Sequence, residues 1–303
     1  MDDFRDLKDA RDQLDAGIFK LETYLFEEDL QALIENRDRL FLSGFRDFLG
    51  AVDSKLNDAG YRGYKSVRIL PPYSERTPVC LGEKQAGILF SLKKATNFLR
   101  LYQSANIYTK PLLGYYAIYS LAQIQFDLTF EGKRNPDHGL VMKGDKVRIK
   151  KGNNDYKPFG LFQGFVDTTH LGRIFRVLSE GAELTYEELT VLISNTPAFD
   201  IVNSNLNPYF GIIPPDKRNP SYINIYTRTF LYFYLLSNFA RYPYPVWQET
   251  VTTQSSKGFY RAVTTMEKAM GIFITVFTRD VGIPFNFSNE IEFLGSLTIP
   301  RRE

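Results

Sequence analysis

Apolar side chains in this chain return at three- and four-residue steps, not at every second position, and that period commits most of it to helices. Phe4, Leu7, Leu14, Ile18, Leu21 and Leu25 form one such stripe, interrupted at Arg11. The spacing suits an amphipathic helix lying on the body of the protein, or helix pairing with a second copy of the chain. A single second helix is expected through Leu30, Leu33, Leu40, Phe45, Phe48, Val52 and Leu56, ended by Gly60 and Gly63. Tyr64 to Tyr73, with Pro71-Pro72, reads as a strand-like linker. Helices are expected over Lys84–Ser104 and Lys110–Phe130, the latter opened by Pro111, where a missing N–H is no loss.

The period then changes. Val141 to Phe165 contains glycines and the basic residues Lys143, Lys146, Arg148, Lys150 and Lys151. The alternation Val147-Arg148-Ile149-Lys150 fits a small hairpin. Its lysines suit RNA, and they equally suit the protection of an edge strand against pairing with other chains. Further helices are expected over Thr168–Glu180 and Thr185–Asn195, with Thr185 and Glu188 spaced as a capping box. Ser221–Arg241 follows, stopped by Tyr242-Pro243-Tyr244-Pro245, and then Lys257–Arg279. The expectation is a mainly α protein: a helical bundle with a small β-hairpin insertion and an N-terminal helical extension. Residues 1–75 would be an arm and linker, and 76–303 the body.

Residue types narrow the chemistry. Cys80 is the single cysteine, which precludes an internal disulfide, and nothing at the acidic N-terminus resembles a secretory signal, so a cytoplasmic protein is expected. The most apolar stretch, Thr229 to Ala240, is about half of the roughly 20 residues that a membrane span needs, so no membrane partner is expected. His138 and His170 are the only histidines, too few for a Cys/His zinc site. There is no tight carboxylate cluster, Gly-rich phosphate loop, serine elbow or zincin motif, and no cofactor is expected. Against a single Trp stand 25 Phe and 19 Tyr, so tyrosine rings should line the core boundary and any groove. Residues 1–60 hold 15 acidic and 8 basic side chains, a net −7, which leaves +9 on the remainder of a chain whose total is +2. A basic body with an acidic arm suits an anionic ligand such as RNA, and equally suits the arm folding onto the body.

The segment Lys133-Arg134-Asn135-Pro136-Asp137-His138-Gly139-Leu140 concentrates the available chemistry. Asn is a favoured N-cap and Pro a favoured first helical residue, so Asn135 is expected to cap a short helix with His138 in its first turn. The free N–H groups there would attract an anion and keep His138 neutral. Arg134 would hold a phosphate oxygen while His138 acts on a ribose 2′-OH, a metal-free route to RNA cleavage. The same residues are also good turn chemistry, with His138 bonded to the backbone. Lys217-Arg218-Asn219-Pro220 repeats the pattern before a later helix, so Lys133, Lys217, Arg218 and Arg241 are candidate anion contacts. Arg241 also suits a helix C-terminus on its own account. Its neighbours Tyr242, Tyr244 and Trp247 suit either a stacking platform or the core. His170 reads as a helix-start residue.

Lys110-Pro111-Leu112-Leu113-Gly114-Tyr115-Tyr116-Ala117, continuing through Ser120-Leu121-Ala122 to His138-Gly139-Leu140, resembles the core of the YaaC-like bacterial family. Leu236-Ser237, Ala240-Arg241-Tyr242, Pro245 and Trp247 resemble its later helix, and the likeness covers about residues 80 to 300. The tyrosine-rich helix followed by His-Gly-Leu is also similar to HEPN domains, helical modules of bacterial toxin–antitoxin and phage-defence systems. That resemblance implies a HEPN-like bundle, a dimer, and an Arg–polar–His catalytic set matched in type by Arg134, Asn135 and His138. Three residues separate Arg134 from His138, where the active enzymes have four to six. Two functions follow as expectations. One is the handling of RNA or nucleotides, including ribonuclease action; the other is a non-catalytic regulator that docks on a partner protein through aromatic surface and N-terminal helices.

Overall fold

Helices form where the apolar period runs. The computed structural model describes residues 2–40, 44–61, 69–131, 137–151, 160–168, 172–194, 225–242, 244–252, 257–282, 294–295, 299 and 301. In chain order these residues form α1 (Asp2–Thr23), α2 (Glu27–Leu40), α3 (Arg46–Asp58), α4 (Pro78–Ser104), α5 (Lys110–Thr129), β1 (Leu140–Lys143), β2 (Lys146–Ile149), α6 (Leu161–Asp167), α7 (Gly172–Ser179), β3 (Glu183–Thr185), α8 (Tyr186–Ser194), α9 (Ile225–Arg241), α10 (Pro245–Thr252) and α11 (Lys257–Gly282). The fold is mainly α with one small sheet, as the apolar period predicts.

α5 and α9 lie at the centre. α5 buries residues on every side, and Phe230 to Leu236 of α9 are all buried, the condition of helices that are apolar all round. α4 packs along α5 across a short turn. Asn106 shapes this turn: its side-chain oxygen accepts hydrogen bonds from the N–H groups of Tyr108 and Thr109, at 3.0 and 3.1 Å. The stripe of α1 lies along α11, and Leu14, Ile18 and Leu21 join the same core as Met266, Phe273 and Phe277. Leu30, Leu33 and Ile34 of α2 belong to that core as well.

A buried charge pair ties three of these helices. Lys110 Nζ lies 2.8 Å from Glu267 Oε1 with both side chains almost wholly buried, and Arg11 of α1 approaches the same oxygen at 3.8 Å. A cation at the first residue of α5 opposes the helix dipole, and Glu267 offsets it. Lys110 also lies 4.4 Å from the centre of the Tyr102 ring, on its face.

Two expectations about helices need correcting. The single helix through Leu30–Leu56 is two, α2 and α3, with Gly44 at φ 105° between them. They serve different cores: α3 packs Phe48, Leu49, Val52 and Leu56 against Ile174 and Val177 of α7, and Arg173 pairs with Asp53 at 2.9 Å. The helix expected over Thr168–Glu180 is α7 alone, preceded by a separate α6. α9 does end at Arg241, before Tyr242-Pro243-Tyr244-Pro245, and Pro245 opens a further short helix, α10, that was not expected. The capping box forms as expected: the Thr185 N–H donates to Glu188 Oε2 at 2.7 Å, and the Glu188 N–H donates to Thr185 Oγ1 at 3.1 Å.

The expected hairpin is β1 and β2, and β3 adds a third antiparallel strand in the order β1-β2-β3. Val147 and Ile149 of β2 point into the core while Lys146 and Arg148 point out, the alternation of a half-buried strand. Glu183 on β3 accepts the outer charges Lys143 and Arg148, at 3.3 and 3.8 Å. Of the linker read over Tyr64–Tyr73, the described part begins at Ile69, which forms an isolated bridge to Phe130.

Candidate functional site

Tyr115 and Tyr119 stand four residues apart on α5 and so share a face. Tyr234, Asn238 and Arg241 do the same on α9. His138 lies between these faces. The ring centre of Tyr119 is 5.4 Å from that of His138, and those of Tyr115 and Tyr234 are each 5.8 Å away. The Tyr115 hydroxyl shares a hydrogen bond of 2.6 Å with His138 Nδ1. His138 is half-buried, and Nε2 has no hydrogen bond among the described residues.

The short helix expected after Asn135 is absent over residues 137–139, which form a bend leading into β1. The backbone groups there are used differently. Asp137 Oδ1 accepts the Gly139 N–H at 2.8 Å, an Asx turn. The carbonyls of Asp137 and His138 accept the first N–H groups of α6, from Leu161 and Phe162, at 2.9 and 3.1 Å. The Gly139 carbonyl accepts from Lys150 N at 3.1 Å, and Gln163 Nε2 donates to the Lys150 carbonyl at 2.6 Å. The segment is therefore fastened by main chain on both sides. Within residues 137–139 the Gly139 N–H is taken up by Asp137, and the His138 ring bonds to the Tyr115 hydroxyl in place of the backbone partner that the turn reading supplied.

Gly160 makes this fastening possible. A Cβ there would lie 2.4 Å from the Asp137 carbonyl oxygen and 2.4 Å from Gly139 N, both backbone atoms that cannot swing away. Only glycine allows the two strands of chain to come this close.

The electrostatics keep the imidazole neutral. Burial, foremost, with the nearby charges of Arg241 and Lys150, holds the His138 pKa below its ordinary value, against an opposing pull from Asp137. Burial acts against the charge on Asp137 too, but the Lys150 ammonium, 2.6 Å away, and the Gly139 N–H hold its carboxyl below the usual range. Burial, reinforced by Tyr119 and Tyr234, pushes the Tyr115 hydroxyl far up, so it stays protonated. The neutral ring has two tautomers. When Nδ1–H donates to the Tyr115 oxygen, Nε2 carries a lone pair and accepts a proton; when the Tyr115 hydroxyl donates to Nδ1, Nε2 carries the hydrogen.

Of the candidate site residues, the structure describes His138 and Arg241, and the charge of Arg241 reaches the His138 ring. Lys133, Arg134, Asn135, Lys217, Arg218 and His170 lie outside the described residues. Arg241 Nε donates to the Ser237 carbonyl at 3.0 Å, so part of its guanidinium closes its own helix, as the C-terminal placement suggests. Of its aromatic neighbours, Trp247 is buried against Tyr186, and Tyr244 is half-buried against Phe239, leaving Tyr242 exposed. Tyr115, Tyr119, Tyr234, Asp137 and Lys150 were not singled out as site residues by the sequence. The four-residue spacing of Tyr115 and Tyr119 is the signal that could have marked them. Among the described residues no group of three or more His, Cys, Asp or Glu is placed to hold a metal, and no helix is long and apolar enough to cross a membrane.

The chain matches no family model, no curated protein and no solved structure.

Proposed function

We propose that this protein acts on or binds RNA or nucleotides, as a metal-independent ribonuclease of bacterial stress or phage defence with a HEPN-like, YaaC-like helical body. The observation that carries the reading is His138: a half-buried imidazole, held neutral, oriented through Nδ1 by Tyr115, with no hydrogen bond at Nε2 among the described residues. That is the arrangement a general base requires, with one nitrogen fixed and the other able to meet a substrate proton. Nε2 takes the proton of a ribose 2′-OH, and the oxygen attacks the adjacent phosphorus. The 5′-oxygen leaves and is protonated by solvent, giving a 2′,3′-cyclic phosphate. Arg241 and Lys150, whose charges already reach the ring, favour the charge that builds on the phosphate. Arg134 and Asn135 complete the set as the phosphate-holding cation and its polar companion, and a dimer joined through helices is the assembly this reading carries.

The test is single-stranded RNA incubated with the full chain in EDTA. Cleavage to cyclic-phosphate ends is expected, and His138→Ala should lose about 10²- to 10⁴-fold in rate, the usual contribution of a general base. Tyr115→Phe should lose less while leaving substrate binding intact. RNA left whole, or cut equally by His138→Ala, removes the enzyme reading.

A second reading, a non-catalytic protein that docks on a partner, is favoured by one observation. Phe19, Phe26 and Phe90 are 71%, 68% and 69% exposed, large apolar rings left in water on or beside α1 and α4. Co-purification from the native host tests it, and a partner retained equally by Phe19→Ser and Phe90→Ser variants would sink this choice of surface.

A further inference from the structure

Away from His138, one face of α11 meets the C-terminal end of α8 in a cleft of about 320 Å³. Lys257, Arg261 and Lys268 line it, one cation every turn or two, and none of its described lining residues is acidic. We propose that this cleft binds the phosphate of a nucleotide, with the base stacked on Tyr260. Its volume lies near the lower end for small-molecule sites, which suits a single nucleotide unit better than two.

The residues divide the work. Lys268 Nζ donates to the Ser194 carbonyl at 2.7 Å, which fixes a cation over the end of α8. The hydroxyls of Ser194 and Thr265 lie 3.1 Å apart, and Thr264 adds a third hydroxyl to the same wall. Hydroxyls and ammonium groups together meet a phosphate oxygen with several donors. Arg261 has one ion partner among the described residues, Glu187 at 3.0 Å; both side chains are open to water, so a phosphate can compete for the guanidinium at small cost. Lys257 has no ion pair or hydrogen bond among the described residues. Tyr260 is 45% exposed beside these charges, with its ring at right angles to Phe259 at 5.9 Å, and aromatic rings stack on any base.

The source of the nucleotide is open between a free mononucleotide and one unit of an RNA strand, since both offer a phosphate beside a base. The experiment titrates the full chain with inorganic phosphate, with AMP and with a short oligoadenylate, followed by Tyr fluorescence or equilibrium dialysis. AMP should bind saturably and more tightly than phosphate. Lys257→Gln with Arg261→Gln should weaken AMP at least tenfold, and both positions are exposed, so an unchanged melting temperature certifies the fold. Tyr260→Leu should reduce AMP to the affinity of phosphate. Competition by the oligomer at or below the AMP concentration identifies RNA as the source, and failure to compete identifies the free nucleotide. Absence of saturable AMP binding, or AMP binding that the double variant leaves unchanged, overturns the proposal. The readout is binding and needs no cleavage, so it stands or falls apart from the reading at His138.

Discussion

His138 carries a thermodynamic signature that acid should expose. Its pKa is held below the ordinary value of about 6.5, so as pH falls the unfolded chain takes up this proton before the folded one. Above about pH 6.5 the ring contributes nothing to the pH dependence, and below it the folded state loses stability until the folded pKa is passed. His138→Gln should therefore flatten the loss of stability as pH falls below about 6.5, measured by urea unfolding at a series of pH values. The chain has two histidines, so an NMR titration resolves the midpoint directly. A midpoint at or above 6.5, or an equally steep loss in the variant, would contradict the burial and charge described here. The scarcity of histidine made His138 legible in the sequence. Its partners were not, because Tyr115 is 23 positions away and Tyr234 sits on another helix. The expected helix failed at residues 137–139 for a related reason: Asn-Pro favours a helix start and a turn alike, and the carbonyls that α6 required decided between them.

Among the elements, the contact between α5 and α9 makes the sharpest demand on composition. Gly114 lies in α5, where alanine would ordinarily be favoured by about 1 kcal/mol. Here its Cβ would lie 2.4 and 2.8 Å from two ring atoms of Phe233 and 3.0 Å from Tyr102 Cε2. Both rings are buried, and Phe233 packs edge-on against Tyr102 with centroids 6.0 Å apart, so neither moves freely. Gly114→Ala should lower stability by about 1–3 kcal/mol despite the better helix former, read as a fall in melting temperature. A variant that melts at the same temperature or higher would mean the two helices do not approach this closely. Long segments announced themselves: α1 by its apolar period, α5 by Pro111 and its length, α8 by its capping box, and α9 by an apolar run too long for a strand. The short elements did not. β3 has three residues and α6 seven, too few to show a period, and Pro245 reads as a stop or a first turn with equal right.

For the whole molecule, the first two helices are part of the construction. Leu14, Ile18, Leu21, Leu30, Leu33 and Ile34 share one core with α4, α5, α9 and α11. A chain beginning at residue 76 should lose that covering and expose the apolar side of α11, so it should aggregate or bind hydrophobic dyes strongly, assayed by solubility and dye fluorescence against the full chain. A soluble, cooperatively melting fragment would show instead that the arm is dispensable. Acidic side chains of residues 1–60 meet the rest of the chain where Glu22 pairs with Arg100 at 2.6 Å, where Asp53 pairs with Arg173 at 2.9 Å, and where Asp15 accepts from Gln103. The meeting of Lys110 and Glu267 fixes something an oily seam alone would leave loose. Sliding α11 by one turn along α5 would part the two charges by about 5.4 Å. A carboxylate stranded in that dry interior would then cost several kcal/mol. The ion pair thus adds to packing a penalty against misaligned stackings of α5 and α11.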